Sequence, residues 1–179
     1  MYVLSVAVVV LAVLVLLDLA LTAAVIRRLR VLDERTSVPD FGGLPVGVEV
    51  PAFEVTAVDG GSFTGEVFSG RRSLVAFYST NCTGCHQQAP DFAVEAGRLA
   101  AEGVQVLPVL TPDGQGDAER EGRLRELLAG AGRLVVDGEG ALPRAFAVRA
   151  TPSYFAVGPD GRVTGKGLSL AECLAGSSS

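Results

Sequence analysis

The feature that most constrains this chain is an apolar segment at its beginning. From Tyr2 to Ile26 the sequence runs for 25 residues with one ionisable side chain, Asp18. As a helix with a rise of about 1.5 Å per residue, this segment would be roughly 37 Å long, which exceeds the ~30 Å hydrocarbon core of a bilayer. The sequence therefore predicts a transmembrane anchor over residues 1–27, and the folded domain must come from the rest of the chain.

The residues that flank the apolar segment indicate whether it is cleaved as a signal peptide or retained as an anchor. Met1 alone precedes it, whereas Arg27, Arg28 and Arg30 follow it. A cleaved signal peptide has basic residues before a shorter apolar stretch and small residues at the cleavage site. We therefore expect a retained, single-pass anchor in the lipid bilayer of the plasma membrane. By the positive-inside rule, the arginines after the helix favour a cytoplasmic domain.

Length and charge restrict the function of the remaining residues. The chain has 179 residues, enough for one domain of ordinary size besides the anchor. Its net charge of −5 supplies no basic surface for a phosphate backbone, which argues against nucleic acid as a partner. Three cysteines and one histidine are too few for a disulfide-stapled scaffold, so cysteine chemistry must lie in one place.

The order of apolar patterns predicts an α/β domain. Residues 28–47 are polar, with proline and glycine, and are predicted to be a juxtamembrane linker, followed by a domain at 48–175 and a tail at 176–179. Apolar alternation or continuous apolar runs predict strands at 53–58, 62–67, 73–78, 104–110, 134–136, 153–157 and 162–165. Helical periodicity predicts helices at 82–101, 118–128, 141–146 and 168–175. This order indicates a mixed sheet with helices on its faces.

The candidate chemistry lies in the segment Cys82-Thr83-Gly84-Cys85, which follows a buried strand and opens a helix. A helix N-terminus presents unpaired N–H groups and partial positive charge, which stabilise a thiolate. Two intervening residues place the second sulfur behind the first, within reach of a disulfide. The spacing therefore predicts that Cys82 attacks and that Cys85 resolves the mixed disulfide.

A metal site is the alternative interpretation of this cysteine pair. Zinc needs two further ligands, and the chain offers His86 and the distant Cys173. We expect no metal. His86 lies next to Cys85, where it either biases thiolate formation or is a solvated side chain, and Cys173 is interpreted as a spare thiol rather than a third redox partner.

The segment LVAFYSTNCTGCHQQAP resembles the active-site segment of thioredoxin-like proteins. With the anchor and the stretch VGVEVPAFEVTAVDGGSFTG, the chain is most similar to membrane-anchored thiol-disulfide oxidoreductases of the TlpA and MauD type, over residues 48–175. Pro90 matches the kink in the family's active-site helix. The resemblance implies a thioredoxin-like fold in which Pro152 is cis and faces the cysteines, while Thr151 offers backbone groups to an extended substrate segment.

The resemblance also implies an activity and its partners. It predicts a redox-active disulfide between Cys82 and Cys85, no organic cofactor, and protein thiols or disulfides as substrates. A membrane electron carrier or oxidase would reset the pair. The resemblance places the domain on the outer face of the plasma membrane, against the charge argument from the arginines, and we favour the outside.

The sequence departs from the family in two places. Asn81 stands where an aromatic residue usually precedes the first cysteine, and Ala76 stands where thioredoxins carry a buried acid. The proton relay for the resolving thiol is therefore missing or supplied by another group. We regard Asn81, Thr83, Gly84 and His86 as candidate modulators of the pair.

Two other functions stay open. A peroxiredoxin-like thiol peroxidase carries Thr or Ser three residues before its cysteine, and Ser79 has that spacing from Cys82, but the family's proline and arginine have no clear match. A metal-delivering or redox-inert chaperone with the same fold would need a wider cysteine spacing and a distant histidine.

Overall fold

The computed structural model describes residues 42–58, 60–112, 114 and 117–177. The predicted anchor and most of the predicted linker lie outside these residues. Within the described ranges, no helix combines the length and the apolar character that a membrane span requires.

The described part of the chain begins with a short hairpin. Strands β1 (Glu54–Thr56) and β2 (Ser62–Thr64) pair antiparallel, with Val55 opposite Phe63. The hairpin was predicted, but its strands are shorter than expected because a 3-10 helix at Gly65–Phe68 replaces the end of the second one. This helix buries Phe68 completely.

The main sheet is mixed, as predicted. Across the described residues its strands are β3 (Ser73–Ser79), β4 (Gln105–Thr111), β5 (Val135–Val136), β6 (Ser153–Val157) and β7 (Val163–Gly167). They are arranged in the order β5-β4-β3-β6-β7. Strand β3 pairs parallel with β4 and antiparallel with β6, so it is central and buried, which explains its continuous apolar run.

Four predicted helices have counterparts in the described residues: α1 (Thr83–Ala101), α2 (Ala118–Ala131), α3 (Ala141–Ala145) and α4 (Leu170–Gly176). Helix α2 extends three residues beyond its predicted end at Leu128, to Ala131, and Gly132 is its C-cap. Helix α4 begins with a capping box between Ser169 and Glu172.

Strand β7 runs two residues beyond its predicted end. The prediction ended the strand at Gly165, but the missing side chains of Gly165 and Gly167 let α4 lie directly against the strand. A Cβ at Gly165 would lie 2.3 Å from the Cys173 carbonyl oxygen, and one at Gly167 would lie 2.6 Å from the Glu172 Cβ. Close packing of helix on strand therefore explains these glycines.

The sheet separates two apolar clusters within the described residues. Because successive strand residues point to opposite sides, β3 sends Leu74, Ala76 and Tyr78 to one cluster and Val75 and Phe77 to the other. The first cluster, here the thiol face, is covered by α1 and contains Cys85, Phe92, Tyr154 and Cys173. The second, here the phenylalanine face, contains Phe63, Phe68, Phe77, Phe146 and Phe155.

The last residues of the predicted linker pack onto the domain. Gly43 and Leu44 donate backbone hydrogen bonds to the carbonyl groups of Ala147 and Phe146, at 2.7 and 2.9 Å. Gly43 has φ of 89°, and a Cβ there would lie 2.5 Å from Cζ of Phe155. Leu44 packs against the phenylalanine face. Residues 42–44 therefore contribute to the core.

Candidate active site

The two motif cysteines lie where β3 ends and α1 begins. Cys82 is the N-cap of α1, with extended backbone angles. Its N–H donates to the carbonyl oxygen of Ser79, at 3.2 Å, and the Thr80 N–H donates to the carbonyl oxygen of Thr111 on β4, at 3.3 Å. These bonds fasten the loop to the ends of two central strands, so the motif is held on a rigid part of the fold.

The Cys82 sulfur is half-buried and contacts two backbone groups. It accepts a hydrogen bond from the Cys85 N–H at 3.1 Å, and its thiol donates to the Thr151 carbonyl oxygen at 3.1 Å. The same N–H also lies 3.1 Å from the Cys82 carbonyl oxygen, so it is shared between the two acceptors. An N–H at this place stabilises a sulfur anion because it lies at the positive end of the helix dipole. The geometry thus suits an accessible sulfur that attacks a partner.

Cys85 lies behind Cys82 in a different environment. It is a free thiol like Cys82, but it is fully buried in the thiol face. Burial and, to a smaller extent, the neighbouring Cys82 sulfur raise the pKa of the Cys85 thiol to about 12, whereas hydrogen bonds from the Ser79 backbone and the Thr151 side chain oppose the change. The two cysteines therefore divide into an accessible sulfur and a protected one.

Thr151 and Pro152 complete the site from the start of β6. The Thr151-Pro152 peptide bond is cis, as the resemblance implied. Pro152 faces the cysteine motif, since a Cβ on Gly84 would lie 3.4 Å from its Cδ. The proline ring thus lies directly beside the first turn of α1, next to the thiols. The role of this edge in binding substrate stays a prediction.

The other predicted modulators lie around the loop. Asn81 and Thr83 are exposed on either side of Cys82. His86 is hydrogen-bonded through Nε2 to the carbonyl oxygen of Thr80, at 2.8 Å. This contact ties the first turn of α1 to the residues before Cys82, so in this structure His86 supports the loop.

A buried hydroxyl pair lies on the thiol face, and the sequence patterns above do not predict it. Tyr78 Oη and Tyr154 Oη are 2.9 Å apart, and Tyr154 Oη donates to Gln88 Oε1 at 3.2 Å. The two rings meet edge to face, with centroids 6.1 Å apart. The sequence held one signal for this pair. Tyr78 lies in the strand before the cysteines, and Tyr154 comes two residues after Pro152.

The position of the missing acid is confirmed as apolar. Ala76 is fully buried in the thiol face. Among the described residues, Asp137 is the buried acid, and its oxygens accept backbone hydrogen bonds from Gly140 and Leu142, each at 2.7 Å. That carboxylate holds the start of α3 and is fully engaged there.

Cys173 belongs to α4 and is buried on the thiol face as a free thiol. Burial raises the pKa of Cys173 to about 12. In the part of the chain that the structure describes, no three His, Cys, Asp or Glu side chains gather as a metal site requires.

Solved structures with this fold come from several bacteria. The thioredoxin domain of a thiol-disulfide oxidoreductase from Bacteroides vulgatus is 19% identical over 74% of this chain and 94% of its own, with a TM-score of 0.60. A thiol:disulfide interchange protein from Bacteroides sp. is 20% identical over 70% of this chain and 83% of its own, with a TM-score of 0.57. The exposed lipoprotein thioredoxin of Streptococcus pneumoniae is 22% identical over 70% of this chain and 96% of its own, with a TM-score of 0.55. The fold is therefore thioredoxin-like.

Sequence comparison gives the family. No curated protein matches the chain. The sequence model of the AhpC/TSA family, by contrast, matches residues 46–166, which is more than half of the chain and includes both motif cysteines and the cis-proline edge. The chain belongs to the AhpC/TSA family.

Proposed function

We propose that this protein is a thiol-disulfide oxidoreductase that exchanges disulfides with protein thiols through Cys82 and Cys85. The observation that carries the proposal is the difference between the two sulfurs. Cys82 is partly exposed at the start of α1 and accepts an N–H hydrogen bond, whereas Cys85 is buried behind it. An attacking thiol needs access and thiolate character, and a resolving thiol needs proximity to the first sulfur.

The first step begins from the reduced pair. The Cys82 thiolate attacks one sulfur of a partner disulfide, so that a new S–S bond forms and the partner's S–S bond breaks. The departing partner sulfur leaves as a thiolate and takes a proton from solvent. The Cys85 N–H, 3.1 Å from the Cys82 sulfur, is positioned to stabilise the anion before attack.

The second step closes the internal disulfide. Cys85 loses its proton and attacks the Cys82 sulfur, which forms the Cys82–Cys85 bond and breaks the bond to the partner. Two electrons have then passed from the cysteine pair to the partner, whose sulfurs are both released as thiols. The reaction is reversible, and its direction depends on the reduction potentials of the two couples.

The Thr151-Pro152 edge is suited to an extended partner segment. In the reduced chain the Thr151 carbonyl accepts the Cys82 thiol at 3.1 Å. A backbone N–H of a partner is a stronger donor than a thiol, so it would take that carbonyl when the mixed disulfide forms. Pairing of this kind holds a short extended segment of the partner against Thr151, just before β6, and brings the partner's sulfur to Cys82.

We further propose a membrane-anchored protein of the TlpA and MauD type, with its domain on the outer face and a membrane electron carrier or oxidase that resets the pair. The support is the apolar segment at 2–26 together with the resemblance. Labelling an introduced cysteine at Asn81, in a Cys82→Ser background, with an impermeant reagent on whole cells tests this orientation. Labelling that requires lysed cells would contradict it.

A thiol peroxidase is the second candidate, since Ser79 precedes Cys82 by three residues. The contacts of Cys82 favour disulfide exchange instead. Its sulfur is hydrogen-bonded to the backbone of Cys85 and Thr151, and Ser79 meets Cys82 through its carbonyl oxygen. Peroxide reduction would need donors arranged around the attacking sulfur to stabilise the departing oxygen.

A redox titration of the full chain in mild detergent tests the function. The chain is equilibrated across glutathione potentials, its free thiols are alkylated, and the mass is measured. We expect a cooperative two-electron transition that Cys82→Ser and Cys85→Ser abolish and that Cys173→Ala leaves in place. Absence of a Cys82–Cys85 disulfide at every potential would refute the proposal, and faster oxidation by hydrogen peroxide than by a peptide disulfide would favour the peroxidase.

A further inference from the structure

An open groove of about 400 Å³ lies between α1 and α2, next to the cysteine motif. Two residues of α1 and four of α2 line this groove, here the basic groove: His86, Pro90, Arg120, Arg123, Leu124 and Leu127. Leu124 is buried and Leu127 is half-buried, so the floor is apolar. Among the described residues, the acids nearest in sequence, Asp91 and Glu119, lie outside this lining. The basic groove therefore combines apolar surface with positive charge.

The basic groove begins one helical turn from the attacking sulfur. Cys82, His86 and Pro90 follow one another at intervals of four residues, so they lie along one side of α1. With a rise of about 1.5 Å per residue, His86 lies roughly 6 Å and Pro90 roughly 12 Å beyond Cys82 along the helix. An extended chain covers these distances in about two and about four residues. A partner that reacts at Cys82 can therefore reach the groove with residues close to its own cysteine.

The basic groove and Thr151 lie on opposite sides of Cys82. Strand β3, which leads to Cys82, is flanked by β6 on one side and by β4 on the other. Thr151 directly precedes β6. Helix α2 connects β4 to β5, so it lies on the β4 side. An extended partner segment that meets the Thr151 carbonyl with one end thus crosses Cys82 and brings its other end toward the groove.

The arginines of the basic groove are accessible to a carboxylate of a partner. Arg120 is exposed and forms no ion pair with the described residues. Arg123 pairs with Glu119 at 2.9 Å, but the two side chains are 66% and 82% exposed. An exposed pair of this kind contributes little to stability, so the guanidinium can turn to a partner at small cost. Because the chain has a net charge of −5, the groove is a local positive surface on an acidic protein.

We propose that the basic groove is a specificity site for the partner protein, and that it binds an acidic residue beside an apolar one at about two to four residues from the partner's reacting cysteine. The inference rests on the proposed function and names the class of protein substrate that the chain prefers. Arg120 and Arg123 bind the carboxylate. Pro90 and Leu127 contact the apolar side chain. These residues act on binding and leave the chemical step to the two cysteines.

Short synthetic peptides test this preference. Each peptide has one cysteine, joined in a mixed disulfide to nitrothiobenzoate, which is coloured when it is released as a thiolate. A Leu-Asp pair is placed within the proposed range, before the cysteine in one series and after it in the other. Leu-Asn and Leu-Lys pairs replace it in matched peptides. Cys82 attacks the peptide sulfur and releases nitrothiobenzoate, and Cys85 then releases the peptide as a thiol.

The protein is the reduced full chain with Cys173→Ala in mild detergent. Stopped-flow absorbance with peptide in excess gives the second-order rate constant of the release. The test variant combines Arg120→Gln with Arg123→Gln. The matched control is Arg125→Glu, because it changes the net charge by the same amount at an exposed position of α2 outside the basic groove.

In one of the two series, we expect the Leu-Asp peptide to react about fivefold faster than the Leu-Asn peptide, and the Leu-Lys peptide to react most slowly. The double variant should abolish this order and keep the Leu-Asn rate within about twofold, since the site acts through charge. Arg125→Glu should preserve the order. Added salt should reduce the preference, because it screens exposed charges.

Three results would overturn the inference. One is equal rates for the three peptides in both series. Another is a preference that the double variant keeps, or that Arg125→Glu also removes, since net charge alone would then explain it. The third is a double variant that accelerates all peptides alike, which would assign the groove to an acidic segment of this chain. A release no faster than that of Cys82→Ser with every peptide would instead refute the proposed function itself.

Discussion

The two faces of the central sheet are built from the same strands but differ in chemistry. On the phenylalanine face, the rings of Phe68, Phe77, Phe146 and Phe155 pack in tilted and edge-to-face pairs, with centroid distances from 5.2 to 6.0 Å. On the thiol face, hydroxyls and thiols lie among the apolar side chains. Adjacent residues of one strand therefore serve two different purposes.

This difference suggests that the phenylalanine face mainly stabilises the fold and that the thiol face mainly carries the chemistry. Aromatic clusters contribute large apolar burial and favourable ring geometry without any polar group that must be satisfied. A face that carries reactive sulfur and buried hydroxyls gives up part of that stabilisation and relies on the opposite face to hold the fold. The comparison predicts that substitutions on one face affect chemistry and that substitutions on the other affect stability.

The largest effect is expected for Cys82→Ser. Exchange should fall to the uncatalysed rate, because a serine hydroxyl is neither ionised nor nucleophilic at neutral pH. Stability should change by less than about 1 kcal/mol, since serine is a preferred N-cap and Cys82 occupies the N-cap of α1. The rate of peptide-disulfide reduction measures the exchange, and urea unfolding followed by circular dichroism measures the stability. An unfolded Cys82→Ser variant would contradict the proposed difference between the two faces.

The opposite pattern is expected for Phe155→Ala on the phenylalanine face. Its ring contacts those of Phe77 and Phe146, at centroid distances of 5.7 and 5.2 Å. Truncation should lower the free energy of unfolding by about 3 to 5 kcal/mol. The exchange rate per folded molecule should be unchanged. Phe155→Leu keeps much of the side-chain volume and should lower the free energy of unfolding by less. A loss of disulfide exchange in the folded fraction of either variant would contradict the proposed difference between the two faces.

Alkaline pH should destabilise the reduced chain through the thiol face. The pKa values of Cys85 and Cys173 are raised to about 12 in the folded chain, from the usual thiol value of about 8.5. The unfolded chain therefore releases protons first, and stability is lost as the pH rises from about 9 to about 12. Urea midpoints measured along this range should decline, and replacing both cysteines with alanine should flatten that decline. An equal decline with and without the cysteines would exclude this cause.

The smallest effects are expected for a pair of neighbouring substitutions on β6. Tyr154→Phe removes one hydrogen-bonded hydroxyl from the thiol face and should cost about 1 kcal/mol. Phe155→Tyr adds a hydroxyl where Cζ already lies close to the backbone of Gly43, and should cost about 1 to 3 kcal/mol through overpacking. Thermal melts followed by circular dichroism compare the two. A larger cost for Tyr154→Phe would mean that the thiol face carries more of the stability than we infer.

Local sequence patterns predicted the strand, the cysteine motif and the helix, which follow one another directly in the chain. The run before Cys82 is apolar because β3 is buried on both sides, and the helix follows at once, so the strand, the motif and α1 could be placed within a few residues. The Thr151-Pro152 pair was identified from a resemblance. Its position opposite Gly84 depends on packing that no local pattern describes.

The hydroxyl pair could not be predicted in this way. Tyr78 and Tyr154 are 76 residues apart and meet because β3 and β6 pair with Ala76 opposite Tyr154. A slip of one residue in that register would turn Tyr154 to the phenylalanine face. The packing of Gly43 and Leu44 was not predicted for a related reason, since the scattered apolar residues around them show neither strand nor helix periodicity. Contacts between residues that are distant in sequence depend on strand register and packing, which local patterns do not describe.

The Thr151 carbonyl connects binding to redox state. In the reduced chain this acceptor is occupied by the Cys82 thiol, whereas a disulfide has no hydrogen to offer it. An extended partner that donates an N–H there meets an internal competitor in the reduced form and none in the oxidised form. By reciprocity, such a partner stabilises the oxidised form by the same free energy and lowers the potential of the couple. The same hydrogen bond would then affect both the affinity for the partner and the reduction potential of the cysteine pair. The reduced protein would release its partner more readily than the oxidised protein.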